Sequence, residues 1–151
     1  MRVLIVIPAI LAVVILAPLS SKAAIKTFQV KVDIREIQLL GSNGSAEVTV
    51  LLDNKTNEFV RVRSYITVLR GGKQVPVDFL PLRSFALRYD RGGPFWGRNL
   101  VPGQKRPDGF TFKFPDKGPR HFCAVIDIVR HNAETGARLP NIRGQDCFDV
   151  K

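Results

Sequence analysis

Residues 88–98, RYDRGGPFWGR, hold the chain's single Trp, one of its two Tyr, three Arg and three Gly. Arginine guanidinium groups stack on aromatic faces and fork onto carboxylate, phosphate or sulfate. Arg88, Tyr89, Arg91, Phe95, Trp96 and Arg98 therefore form a candidate set for gripping an anionic ligand or a partner's acidic peptide. Arg61 and Arg63, with Lys105 and Arg106, extend the basic character. A second reading is equally physical. A large aromatic withdrawn from water contributes about 1.5–3 kcal/mol, so Trp96 also fits a plug that closes the core while the Arg residues face outward.

Residues suited to catalysis do not assemble into a recognisable set. Ser64 and Ser84 lack a G-x-S-x-G context. Gly92-Gly93 is not followed by the Lys and helix of a phosphate-cradling loop. His121 and His131 fall near the two ends of one expected strand and read as exposed strand-end residues rather than bases. Asp127 is a lone carboxylate, suited to satisfying a backbone donor or an Arg. Two Cys and two His without short ligand spacings give no tetrahedral metal site. The expectation is a non-enzymatic protein with no cofactor and no metal.

The elements that must position these residues begin after an unusual N-terminus. Met1-Arg2 is basic, residues 3–19 are almost wholly apolar, and Ser21-Lys22-Ala23 ends the segment with small residues. A basic, apolar, small-x-small order is that of a secretory signal, here residues 1–23. An uncleaved anchor is the alternative, although Pro8 and Pro18 interrupt a continuous helix. Residues 24–151 then make one domain with room for one good core. Without Arg2 and Lys22, 21 of the 23 basic residues remain against 13 acidic ones, a balance of +8. Such a charge attracts anionic envelope components, whether acidic glycan, lipid headgroup or acidic protein. Nucleic acid fits the charge but not the compartment, and membrane contact is expected only through the N-terminal segment or weak electrostatics. The location expected is secreted or periplasmic, or membrane-anchored and facing away from the cytosol.

Beyond residue 24 the periodicity is that of strands. Phe28, Val30, Val32 and Ile34 alternate with polar residues, which gives a strand with one dry face. Ala46 to Leu52 repeats the pattern. In 59–70, Val60, Val62, Ile66 and Val68 share a face, and Gly71-Gly72 suits a tight hairpin turn. That turn sets Arg70 opposite Lys73, Val68 opposite Val75 and Ile66 opposite Val77. Pro76 cannot donate to a ladder, so the returning strand is expected at an edge. Residues 78–105 lose periodicity and read as one long connection. Phe110, Phe112 and Phe114 mark another strand. Residues 121–130 are apolar on both faces and read as a buried central strand. Residues 146–150 end the chain as a strand.

An even pair of cysteines in an exported chain reads as a disulfide. If Cys123 and Cys147 face each other, the intervening turn centres on Thr135, inside the turn-rich run 132–136. The bridge reads as a staple worth about 3 kcal/mol, with a redox-active pair as the lesser alternative because nothing like C-x-x-C is present. About seven strands and one disulfide point to an all-β, two-sheet antiparallel sandwich of immunoglobulin-like form after the signal helix.

Leu100-Val101-Pro102-Gly103-Gln104 ahead of a strand, with His121-Phe122-Cys123-Ala124-Val125-Ile126-Asp127 as a late strand, resembles the bacterial cell-adhesion-related immunoglobulin-like domains over residues 46–130. The resemblance implies a binding or spacer module and brings no catalytic residues. Three functions follow from these readings. The first is an exported binding module for an anionic partner, acting through 88–98. The second is a structural or accessory subunit that docks by sheet-edge pairing near Pro76. The third is an inhibitor that inserts 88–98 into a target enzyme.

Overall fold

The computed structural model describes residues 26–38, 44–82 and 86–151; the expected signal segment 1–23 lies outside them. The described chain is built from ten strands: β1 (Phe28–Ile37), β2 (Ser45–Asn54), β3 (Val60–Arg70), β4 (Lys73–Val75), β5 (Phe79–Pro81), β6 (Arg88–Asp90), β7 (Gly93–Leu100), β8 (Lys105–Lys113), β9 (His121–Asn132) and β10 (Arg138–Asp149). They form two antiparallel sheets. One runs β1-β2-β8-β5; the other runs β10-β9-β3-β7-β6, with β4 also paired to β3.

This order is that of an immunoglobulin-like sandwich, in which A-B-E-D faces C-F-G. Here β1, β2, β8 and β5 take the A, B, E and D places, and β3, β9 and β10 take C, F and G. The β6–β7 hairpin widens the second sheet beyond β3. Among the described residues no helix is long and apolar enough to cross a membrane.

Period-two alternation builds the core. Val60, Val62, Ile66 and Val68 of β3 are buried, whereas Arg61 and Arg63 are exposed. Phe110 and Phe112 of β8 meet Trp96 and Phe122 from the opposite sheet, with the Trp96 and Phe110 rings 4.7 Å apart. Ser64, on the dry face of β3, is fully buried, and its hydroxyl has no hydrogen-bond partner among the described residues.

The β3–β4 hairpin has the expected register, Arg70 with Lys73 and Val68 with Val75. Gly71 and Gly72 both take positive φ, 57° and 79°. The pairing of Ile66 with Val77 does not form, because β4 ends at Val75 and Pro76 offers no N–H. On the other side of the sheet, β9 lies between β3 and β10 as a central strand. Cys123 pairs with Cys147, and the two are bonded. A bulge between Leu139 and Ile142 shifts the register nearer the turn, so His131 meets Arg138.

The two sheets come together along one flank. There the carboxylate of Asp146 (β10) accepts the Ile34 N–H of β1 at 2.9 Å. Gly144 makes this approach possible, since a Cβ on it would lie 2.8 Å from a Val32 methyl.

Residues 78–105 are not one loop. The chain crosses to the first sheet as β5, returns as β6, turns at Arg91-Gly92 and runs back as β7 against β3. The candidate stretch 88–98 is therefore a hairpin, and its second arm is an internal strand.

Candidate functional site

Alternation along β7 divides the candidate residues. Trp96, Arg98 and Leu100 point between the sheets, while Phe95, Gly97 and Asn99 point outward. Trp96 is 0% exposed. Its indole N–H donates to Asp108 of β8 at 2.7 Å. Arg98 donates to the same carboxylate through Nη2 at 2.6 Å and through Nε. Both side chains thus tie β7 to the opposite sheet through a carboxylate that is itself buried.

Phe95 lies on the outer face, beneath the Arg63 guanidinium at 4.8 Å and against the Tyr65 ring at 5.3 Å. Arg88 is paired with Phe95 across the β6–β7 ladder. Tyr89 is exposed and turns away, toward a slot near Pro76 and Pro94. Arg91 is exposed in the hairpin turn. The six residues consequently serve three places: two tie the sheets together, two belong to the outer face of the wider sheet, and two stand at the hairpin's rim and tip.

The outer face is concave. A depression of about 590 Å³ lies over β3, β7 and β9, and its walls include Arg61, Arg63, Arg88, Tyr65, Asn99 and His131. Its floor is low because Gly97 has no side chain. A Cβ added there meets only the Val62 carbonyl oxygen, at 3.8 Å. Arg61 stands between Asn99 and His131, its partners in the two adjoining ladders.

Charge at this surface is unevenly compensated. Asp90 accepts the Tyr65 hydroxyl at 2.8 Å and the Gly92 N–H at 2.7 Å, and lies 3.6 Å from Arg63. The Arg63 pKa is raised above its ordinary value, chiefly by its hydrogen bond with the Tyr65 side chain. Arg61 and Arg88 make no ion pair among the described residues. Lys105 and Arg106 do not extend this surface. They belong to β8 in the other sheet, where Lys105 lies 3.8 Å from Asp53.

Sequence reasoning did not single out Tyr65, Asn99 and His131 for this place. His131 is the direct partner of Arg61 in the β3–β9 ladder, a relation that becomes readable only once those strands are paired. Asp127 has the role expected of it, accepting Arg143 Nε at 2.6 Å and Nη2 at 3.1 Å. The Leu100-Val101-Pro102-Gly103-Gln104 turn is pinned to the end of β2. Asn54 donates to the Leu100 carbonyl at 2.9 Å, and Gly103, at φ 77°, donates its N–H to the Asn54 carbonyl at 2.7 Å.

No protein-family model matches this sequence, and no curated protein matches it. Among solved structures, the chain is similar to a CARDB domain from Pyrococcus furiosus crystallised in complex with di-metal ions. The TM-score is 0.40 and the identity 18%, over 83% of this chain and 94% of that one. It is also similar to the ASH / PapD-like domain 7 of human CEP192, at TM-score 0.37 and 13% identity, over 91% of this chain and 95% of that one.

Proposed function

We propose that the chain is an exported, non-catalytic binding module that recognises an anionic partner on the outer face of its wider sheet. The carrying observation is the concave surface where Arg61 and Arg88, without ion pairs among the described residues, flank Phe95 and the bare Gly97 floor. Guanidinium forks suit planar anions, and the adjoining aromatic rings suit the apolar faces of sugar rings. An acidic glycan is therefore the preferred partner, with a lipid headgroup or an acidic protein surface as the other anionic classes. Of the original six residues, Arg88 contacts the ligand directly, while Phe95, only 9% exposed, supports the Arg63 guanidinium from beneath. Tyr89 and Arg91 lie outside the depression, Tyr89 at the neighbouring slot and Arg91 in the hairpin turn, and Trp96 and Arg98 hold β7 in place. The apolar run 3–19 supports export, and the disulfide suits an oxidising compartment.

The test is titration of the protein with a sulfated oligosaccharide at two salt concentrations. Arg61→Ala with Arg88→Ala is expected to weaken binding at least about tenfold and to flatten its salt dependence. Unchanged, salt-independent binding would remove this surface from consideration.

A second reading has its own observation. Leu80, Leu82 and Tyr89 are exposed apolar residues on the flank that carries β5 and β6. Beside them a slot of about 550 Å³ is lined by Ile66, Val77, Phe79 and Pro94. A docking partner would add a strand there. Loss of association in Leu80→Glu with Leu82→Glu, together with unaltered glycan binding, would favour it.

A further inference from the structure

At the far end of β9 from His131, two alternate rungs of the β9–β10 ladder, separated by the Phe122–Phe148 rung, carry reactive groups on one face. His121 is paired with Asp149, and Cys123 with Cys147. The His121 Nδ1 lies 2.8 Å from an Asp149 carboxylate oxygen, and its Nε2 lies 3.4 Å from Cys123 Sγ. On the other side, Gln145 Nε2 donates to Cys147 Sγ at 3.6 Å. A carboxylate, an imidazole, two sulfurs and an amide thus stand in a row.

A bridge that serves only to staple two strands needs none of these neighbours. An imidazole beside one sulfur matters when that sulfur becomes a thiolate, because the protonated ring stabilises the negative charge and makes it a better leaving group. Asp149 orients the ring through Nδ1, so that Nε2 faces the sulfur. The two sulfurs also differ in access. Cys123 is 6% exposed, whereas Cys147, on the edge strand, is more open.

We propose that Cys123–Cys147 is a thiol–disulfide exchange site in the folded protein, acting on the dithiol of another exported protein. The partner's thiolate attacks Cys147 Sγ. A partner–Cys147 disulfide forms, the Cys123–Cys147 bond breaks, and the electron pair leaves on Cys123 as a thiolate beside the His121 imidazole. The partner's second thiolate then attacks its own sulfur in the mixed disulfide. Cys147 departs as a thiolate and takes a proton from water. The partner's two thiols end as a disulfide, and this chain ends with two reduced cysteines. Reoxidation is the reverse sequence with a disulfide partner. The site lies apart from the anion-binding surface and does not depend on that reading.

The test uses the oxidised full chain, reduced glutathione as probe, rapid alkylation and peptide mass spectrometry. Glutathione is expected on Cys147 and the alkyl group on Cys123, at a rate that rises in proportion to glutathione. His121→Ala is expected to slow this rate about tenfold, and Asp149→Asn to slow it less. Both side chains are largely exposed, so the folded state is expected to survive, as checked by urea denaturation of the oxidised variants. A rate independent of thiol concentration would show that the bridge opens only on unfolding and would overturn the proposal. So would glutathione chiefly on Cys123, or an undiminished rate in His121→Ala.

Discussion

The indole N–H of Trp96 meets the carboxylate of Asp108 at 2.7 Å across the sandwich, from a strand of one sheet to a strand of the other. The same carboxylate takes Arg98. An aromatic withdrawn from water must still satisfy its one polar atom, and Asp108 does this while an adjacent cation balances its charge. The sequence reading left Trp96 divided between core and surface. The structure places it in the core, and its neighbour Phe95 on the outer face.

Removing that shared acceptor is expected to be severe. Asp108→Ala should cost about 3–5 kcal/mol, the range for breaking a buried hydrogen-bonded charge pair. Urea denaturation followed by Trp96 fluorescence measures this. In the unmutated protein the emission should be blue and resistant to quenchers, as for a fully buried indole. A cost below about 1 kcal/mol would mean that Asp108 contributes no more than a surface ion pair.

Gly97 offers a way to separate the proposed binding surface from the fold. Its φ is not in the left-handed region, and the space above it is open. Gly97→Leu is expected to change stability by less than about 1 kcal/mol while intruding into the floor of the depression and weakening binding of the sulfated oligosaccharide at least about tenfold. Retained affinity in a folded Gly97→Leu protein would place the ligand elsewhere.

Ser64 is expected to be dispensable. Its hydroxyl is buried and unpartnered among the described residues, so it carries a desolvation cost without a compensating bond. Ser64→Ala should leave the melting temperature unchanged or raise stability by up to about 1 kcal/mol. A clear loss of stability would reveal a partner of the hydroxyl outside the described residues.

Strands with regular dry-and-wet alternation were legible without coordinates. The β3–β4 turn and the Cys123–Cys147 register followed from residue type and counting. What escaped did so for local reasons. β7 contains Gly93, Pro94 and Gly97, which argue against a strand, and its adjacent Phe95 and Trp96 hide the alternation because both are aromatic. β10 carries Pro140, Gly144 and several charges, so only its last residues read as extended; as an edge strand it needs no continuous dry face. β5 and β6 are three residues each, too short for a period to show. The proposed binding surface was half legible. Arg61, Arg63, Arg88 and Phe95 were visible by type, but their convergence required the order of β9, β3 and β7, which no single stretch encodes.

The contact of Asp146 with the Ile34 N–H has a consequence for assembly. An acidic side chain occupies a donor that a foreign backbone would otherwise seek, and Gly144 draws the two outermost strands too close for an intruder. The molecule is hemmed along that side and unhemmed along the opposite one. Self-association through main-chain pairing is therefore expected on the opposite side, where β5 and β6 are the outermost described strands of the two sheets.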